Sequence, residues 1–143
     1  MDAQPARAMR PFRHLARKAE IVGSLALAVL LIRFVPLRHW RGLLGELGPG
    51  AHEAAPTARE IHRASMLGAQ VDAIAGAVPF RAICLPRALA CRWMLARRGI
   101  PTRLHIGARK GQSWRSHDLH AWLMLGETCV VGASEREDYR HLQ

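Results

Sequence analysis

A cysteine at the mouth of a helix and a histidine on a strand are the two residues of this chain whose types and placement suit covalent chemistry. Cys84 precedes Leu85-Pro86-Arg87-Ala88-Leu89-Ala90-Cys91-Arg92-Trp93-Met94-Leu95-Ala96-Arg97-Arg98-Gly99. In that stretch Ala88, Cys91, Trp93, Met94 and Leu95 recur at helical spacing, Pro86 suits a first-turn position, and Gly99 follows two arginines as a stop. The pattern predicts a helix from about Leu85 to Arg98, with Cys84 at its N-terminal lip. There, unpaired backbone N–H groups and the positive end of the helix dipole favour an anionic sulfur. Cys91 shares the apolar face with Ala88 and Leu95 and is expected to pack as a small hydrophobe.

A nucleophile needs a base, and the stretch Ser116-His117-Asp118-Leu119-His120-Ala121-Trp122-Leu123 supplies one. It alternates as a half-buried strand does, with Leu119, Ala121 and Leu123 on one face and Asp118, His120 and Trp122 on the other. His120 is therefore the expected general base. A cysteine at a helix start with a histidine on a later strand is the arrangement that papain-like and transglutaminase-like enzymes use.

Four linked stretches narrow this further. Cys84-Leu85-Pro86-Arg87-Ala88-Leu89, then Met94-Leu95-Ala96-Arg97-Arg98-Gly99-Ile100-Pro101, then Leu104-His105-Ile106-Gly107, then His120-Ala121-Trp122-Leu123 resemble the transglutaminase-like leader peptidases of lasso-peptide (microcin-type) biosynthesis. The likeness covers about Ile83 to Gly132, with a looser one in the apolar N-terminal helix. It implies a cysteine peptidase that removes the leader from a ribosomally made lasso precursor peptide and hands the core to an ATP-dependent lasso cyclase. Carried over by position, Cys84 matches the nucleophile and His120 the base. The family's acidic third member falls about a dozen positions after the histidine, where this chain has Gly132. Asp118, on the same strand face as His120, is the preferred orienting residue in its place, and Glu135 is the other candidate. The resemblance also implies a winged-helix-like leader-recognition module. The first 79 residues read as helical and too apolar for one, so recognition is expected from a separate protein. The hydrolytic outcome, as opposed to acyl transfer to an amine, comes from the resemblance alone.

The elements that must position these residues are legible from the same sequence. At 143 residues the chain is expected to form one domain, large enough to bury about two-thirds of its unfolded surface. Residues 1–79 are expected to be its helical part, and 80–143 the catalytic helix plus strands. The expected class is α+β, with N-terminal helices packed on a small antiparallel sheet in a reduced transglutaminase- or papain-like core. Basic residues from Arg7 to Lys18 precede the apolar run from Ile21 to Ile32. The run is shorter than the roughly 20 residues a bilayer span needs, so a buried helix is expected ahead of a membrane-surface anchor. Pro36 should end it, and Trp40, Leu43, Leu44 and Leu47 suggest a short amphipathic helix from Leu37 to Leu47. Thr57-Ala58-Arg59-Glu60 reads as a capping box for a helix whose stripe is Ile61, Ala64, Leu67, Val71, Ile74 and Val78. A short strand follows at Thr102 to Gly107. Leu125-Gly126-Glu127-Thr128 reads as a hairpin turn that returns through Cys129, Val130 and Val131.

Composition trims the alternatives. Three cysteines with no CxxC pair argue against a disulfide framework and for a reducing compartment, the cytoplasm. The 21 basic residues against 11 acidic ones suit an acidic partner such as a leader peptide. Aromatic residues are not interleaved with the arginines, so nucleic-acid binding is not expected. A zinc site from His105, His117, His120 and a cysteine fits no ligand spacing, and neither a metal nor another cofactor is expected. The rival function is a non-catalytic, peptide-binding or membrane-associated module of the same fold.

Overall fold

A computed structural model describes residues 9–40, 42, 54–109, 119–133 and 139–141. Among these, four helices precede four strands: α1 (Met9–Phe34), α2 (Leu37–Trp40), α3 (Ala58–Ala75), α4 (Cys84–Ala96), β1 (Arg103–Arg109), β2 (Leu119–Leu125), β3 (Thr128–Val131) and β4 (Tyr139–His141). The strands form one antiparallel sheet in the order β3-β2-β1-β4. The class is α+β, as the periodicities predict. β4 is an addition, because three residues on a sheet edge carry too little pattern to be read in advance.

The middle of the molecule is α4. Ala88, Leu89, Ala90, Cys91, Met94 and Leu95 are all buried, so the helix is covered on several sides, by α1, α3 and the sheet. It begins at Cys84, one residue before the expected start, and its last turn closes through Ile100 N–H donating to the Leu95 carbonyl at 3.0 Å. From β1 and β2, Leu104, Ala121 and Leu123 join the same core cluster as the buried residues of α4. The pairing of Leu104 with Leu123 and of Ile106 with Ala121 puts these side chains on one face of the sheet. His105 and Trp122 pair across β1 and β2 and stack on each other, and His120 stacks on Trp122 along the same strand.

α1 is longer than its apolar run, extending back through the basic segment to Met9. Arg, Lys, Ala and Leu are good helix formers, and Pro11 falls in the first turn, where its missing N–H has no intrahelical acceptor to lose. Burial is one-sided. Ile21, Ser24, Leu25 and Ala28 face inward, while Val22, Leu27, Leu30 and Phe34 stay exposed. The expected buried helix is thus packed along a single stripe, with apolar residues also on its exposed side. Glu20 ties it to the far end of α4, with carboxylate contacts to Arg97 at 3.0 Å and Arg98 at 2.7 Å. The hydrogen bond from Arg98, ahead of that from Arg97, holds the Glu20 carboxyl below the usual range.

α3 starts on the predicted capping box. The Glu60 N–H donates to the Thr57 hydroxyl at 3.2 Å, and the Thr57 N–H donates to the Glu60 carboxylate at 2.7 Å. Ala64, Leu67, Gly68, Val71 and Ala75 form its buried stripe. Gly68 sits where the helix meets β3, and a Cβ added there would run into the Val130 carbonyl. The glycine is a packing choice, since inside a helix it costs about 1 kcal/mol relative to alanine. The expected helix to Leu47 is seen as α2 from Leu37 to Trp40, and Leu43 to Leu47 lie outside the described residues.

Candidate active site

Cys84 is the first residue of α4 and half-buried. The preceding Ile83 is extended and offers no side-chain cap, and Pro86 has no N–H, so backbone donors in the first turn come from Cys84 and Leu85. The loop that delivers the cysteine is pinned by Arg87. Its Nε donates to the Ala82 carbonyl at 2.6 Å, and its Nη1 lies 3.6 Å from Asp72 Oδ1 on α3. Burial pushes the Asp72 carboxyl above its usual range, with the Arg87 charge pulling the other way. An arginine in the first turn opposes the helix dipole, and that mismatch is the sequence signal that its real partners lie elsewhere.

His120 is the second residue of β2 and 8% exposed. Its Nε2 lies 3.0 Å from the Gly132 carbonyl oxygen. Its ring stacks on Trp122, with centroids 5.9 Å apart and planes at 23°, and Trp122 stacks in turn on His105 at 5.7 Å and 9°. The imidazole therefore has both its plane and one of its nitrogens held.

Cys84 and His120 line one cavity of about 440 Å³. Leu85, Ile106 and Ala121 line it as well. The end of α1 and the residues after it, from Ile32 to Pro36, together with Trp40, supply the rest of the wall. Trp40 is buried, and its indole N–H donates to the Val35 carbonyl at 2.9 Å, which ties α2 to the residue that follows α1. Except for Arg33, Cys84 and His120, the lining side chains are apolar or aromatic. The space suits an extended, largely uncharged chain segment.

Asp118, the preferred orienting residue, and Glu135, its alternative, lie outside the described residues. So does His117, one of the histidines of the zinc reading. Among the described residues no three His, Cys, Asp or Glu side chains are grouped to hold a metal ion. Cys91 is core, and burial pushes its thiol up to about 12. Cys129 is a strand residue whose Sγ contacts the Val131 carbonyl at 3.4 Å. Sequence reasoning missed the wall from α1, the Arg87 tether and the Gly132 contact, all of which join residues distant in sequence or turn on a backbone atom.

No described helix is long and apolar enough to cross a membrane. A family model described as the transglutaminase-like superfamily matches residues 25–143, from the middle of α1 through both Cys84 and His120 to the C-terminal residue. No curated protein matches the chain, and no solved structure does.

Proposed function

Because the chain belongs to the transglutaminase-like superfamily, which includes cysteine proteases and transglutaminases, we propose that it is a cysteine peptidase that removes the leader from a lasso-type precursor. The observation that carries this reading is the shared cavity, with the cysteine of a helix N-terminus and the histidine of a strand on its lining. Four resembling stretches, running from the Cys84 helix to the His120 strand, support the choice of substrate.

In the reaction His120 takes the Cys84 proton and the sulfur attacks the carbonyl carbon at the leader–core junction. The oxyanion is met by backbone N–H groups at the start of α4, those of Cys84 and Leu85. As the C–N bond breaks, the imidazolium returns its proton to the leaving amine, and a thioester remains on Cys84. Water, deprotonated by His120, attacks the thioester, and the thiol is restored with release of the carboxylate. Arg33 and the basic surface favour an acidic leader. A separate leader-recognition protein presents the precursor, and an ATP-dependent cyclase takes the freed core, all in the cytoplasm.

The test is to incubate the purified chain with a precursor and its recognition protein and to weigh the products. Cys84→Ala and His120→Ala should each abolish the shortened peptide, a loss of at least about a thousandfold. Cleavage that survives Cys84→Ala rules out the peptidase. Undiminished peptide binding by both variants, with no cleavage by the parent chain, makes it a docking module.

A further inference from the structure

A general base works when its ring shows a lone pair to the acid it deprotonates and its N–H to a fixed acceptor. We propose that the acceptor for His120 is the main-chain carbonyl of Gly132, which makes Gly132 a positioning residue acting through its backbone. The assignment rests on the reading of His120 as the base.

The contact is 3.0 Å from His120 Nε2 to the Gly132 oxygen. A carbonyl oxygen only accepts, so Nε2 carries the proton, and in the neutral ring Nδ1 keeps the lone pair. Two features of the chain aim the carbonyl. On β3, Cys129 faces Met124 and Val131 faces Leu123, which leaves Val130 as an extra residue. Such a bulge bends its strand and re-aims the groups that follow it. Gly132 then takes φ +86°, a conformation that side-chain-bearing residues rarely adopt.

Position 132 also has no room for a side chain. A Cβ there would stand 2.8 Å from the Ala121 oxygen and 3.0 Å from Trp122 Cβ, both on the strand that carries His120. β2 and the 132 backbone are therefore packed too closely for a carboxylate at this position, and the same closeness brings the carbonyl to the ring. Trp122 holds the ring plane while the carbonyl holds Nε2. The acceptor is neutral, so it selects the tautomer without adding a full negative charge beside the imidazole.

The tautomer is measurable without substrate, so its failure and a failure of leader cleavage are separate results. The full chain labelled with ¹⁵N-histidine is studied as Cys84→Ala, so that no thiolate keeps the ring doubly protonated, at a pH where the ring is neutral. Signals lost in His120→Gln assign the residue. The expected long-range ¹H–¹⁵N pattern has Nδ1 at the shift of an unprotonated nitrogen and a downfield Nε2–H in slow exchange with water. Protonation at Nδ1, or an Nε2–H exchanging as fast as in free histidine, overturns the assignment. Gly132→Ala, which must displace the carbonyl, should abolish the protected resonance, and its persistence in a folded Gly132→Ala chain overturns the assignment equally. Should that variant fail to fold, the Gly132-containing chain decides alone.

Discussion

The three cysteines differ by environment more than by type. Cys84 lies half-exposed on the cavity lining, whereas Cys91 is fully buried with its thiol pushed up to about 12 and Cys129 leans on a strand carbonyl. Only the thiolate attacks an alkylating agent. Iodoacetamide at neutral pH, followed by peptide mapping, should therefore label Cys84 first and leave Cys91 unmodified in the folded chain. Labelling of Cys91 at a comparable rate would mean that the core opens on that timescale. Arg87 makes a second test at this scale. Arg87→Ala removes the bond to the Ala82 carbonyl and leaves Asp72 without its cation. The expected cost is about 1–2 kcal/mol by denaturant titration, at the low end of charged hydrogen bonds because both partners are partly exposed. For the proposed peptidase, cleavage should fall by more than the loss of folded protein explains, because the loop that carries Cys84 is released.

Two close approaches set the positions of the elements. α3 reaches β3 only because position 68 has no side chain, with the Val130 carbonyl occupying the space of a Cβ. Gly68→Ala gains helix propensity worth about 1 kcal/mol and meets an immovable backbone atom. The clash should win, with a net loss of about 1–3 kcal/mol and a lowered Tm in a thermal melt. An unchanged or raised Tm would show that α3 slides without cost. Val130 is also the extra residue of the β3 bulge, so the same contact steadies the segment that presents the Gly132 carbonyl. A Gly68→Ala chain that folds should accordingly show faster exchange of the His120 Nε2–H.

Across the whole molecule, the long clamp between Glu20 and the end of α4 couples stability to pH. The Glu20 carboxyl is held below its usual value of 4.5 by Arg98 and Arg97. A carboxyl with a depressed folded value contributes stability above its unfolded value and loses it as pH falls through the folded one. Glu20→Gln should thus be less stable than the parent chain at pH 7, and the difference should shrink to nothing as pH falls through and below about 4.5. Asp72, whose carboxyl burial raises, contributes in the opposite sense. The comparison with Glu20→Gln isolates the clamp, because Asp72 is common to both chains. A difference that stays constant down to acid pH would show that the glutamate packs without pairing.

Much of this architecture was written locally. The Thr57 and Glu60 box, the stripe of α3, the α4 helix with its cysteine at the tip, the Gly126 turn and the alternation around His120 all follow from spacings within about 20 residues. Such spacings determine which side chains share a face, and so they single out the candidate residues and the α+β class. Other features depend on contacts no local period encodes. The end of α1 walls the cavity from some 50 residues before Cys84. One extra residue in β3 and one positive φ decide which atom meets His120 Nε2. A one-residue slip in register leaves the composition and pattern of a strand unchanged while it re-aims every group beyond it. For that reason the sequence singles out the cysteine and the histidine as candidates, and only the packed sheet sets the Gly132 carbonyl beside the ring.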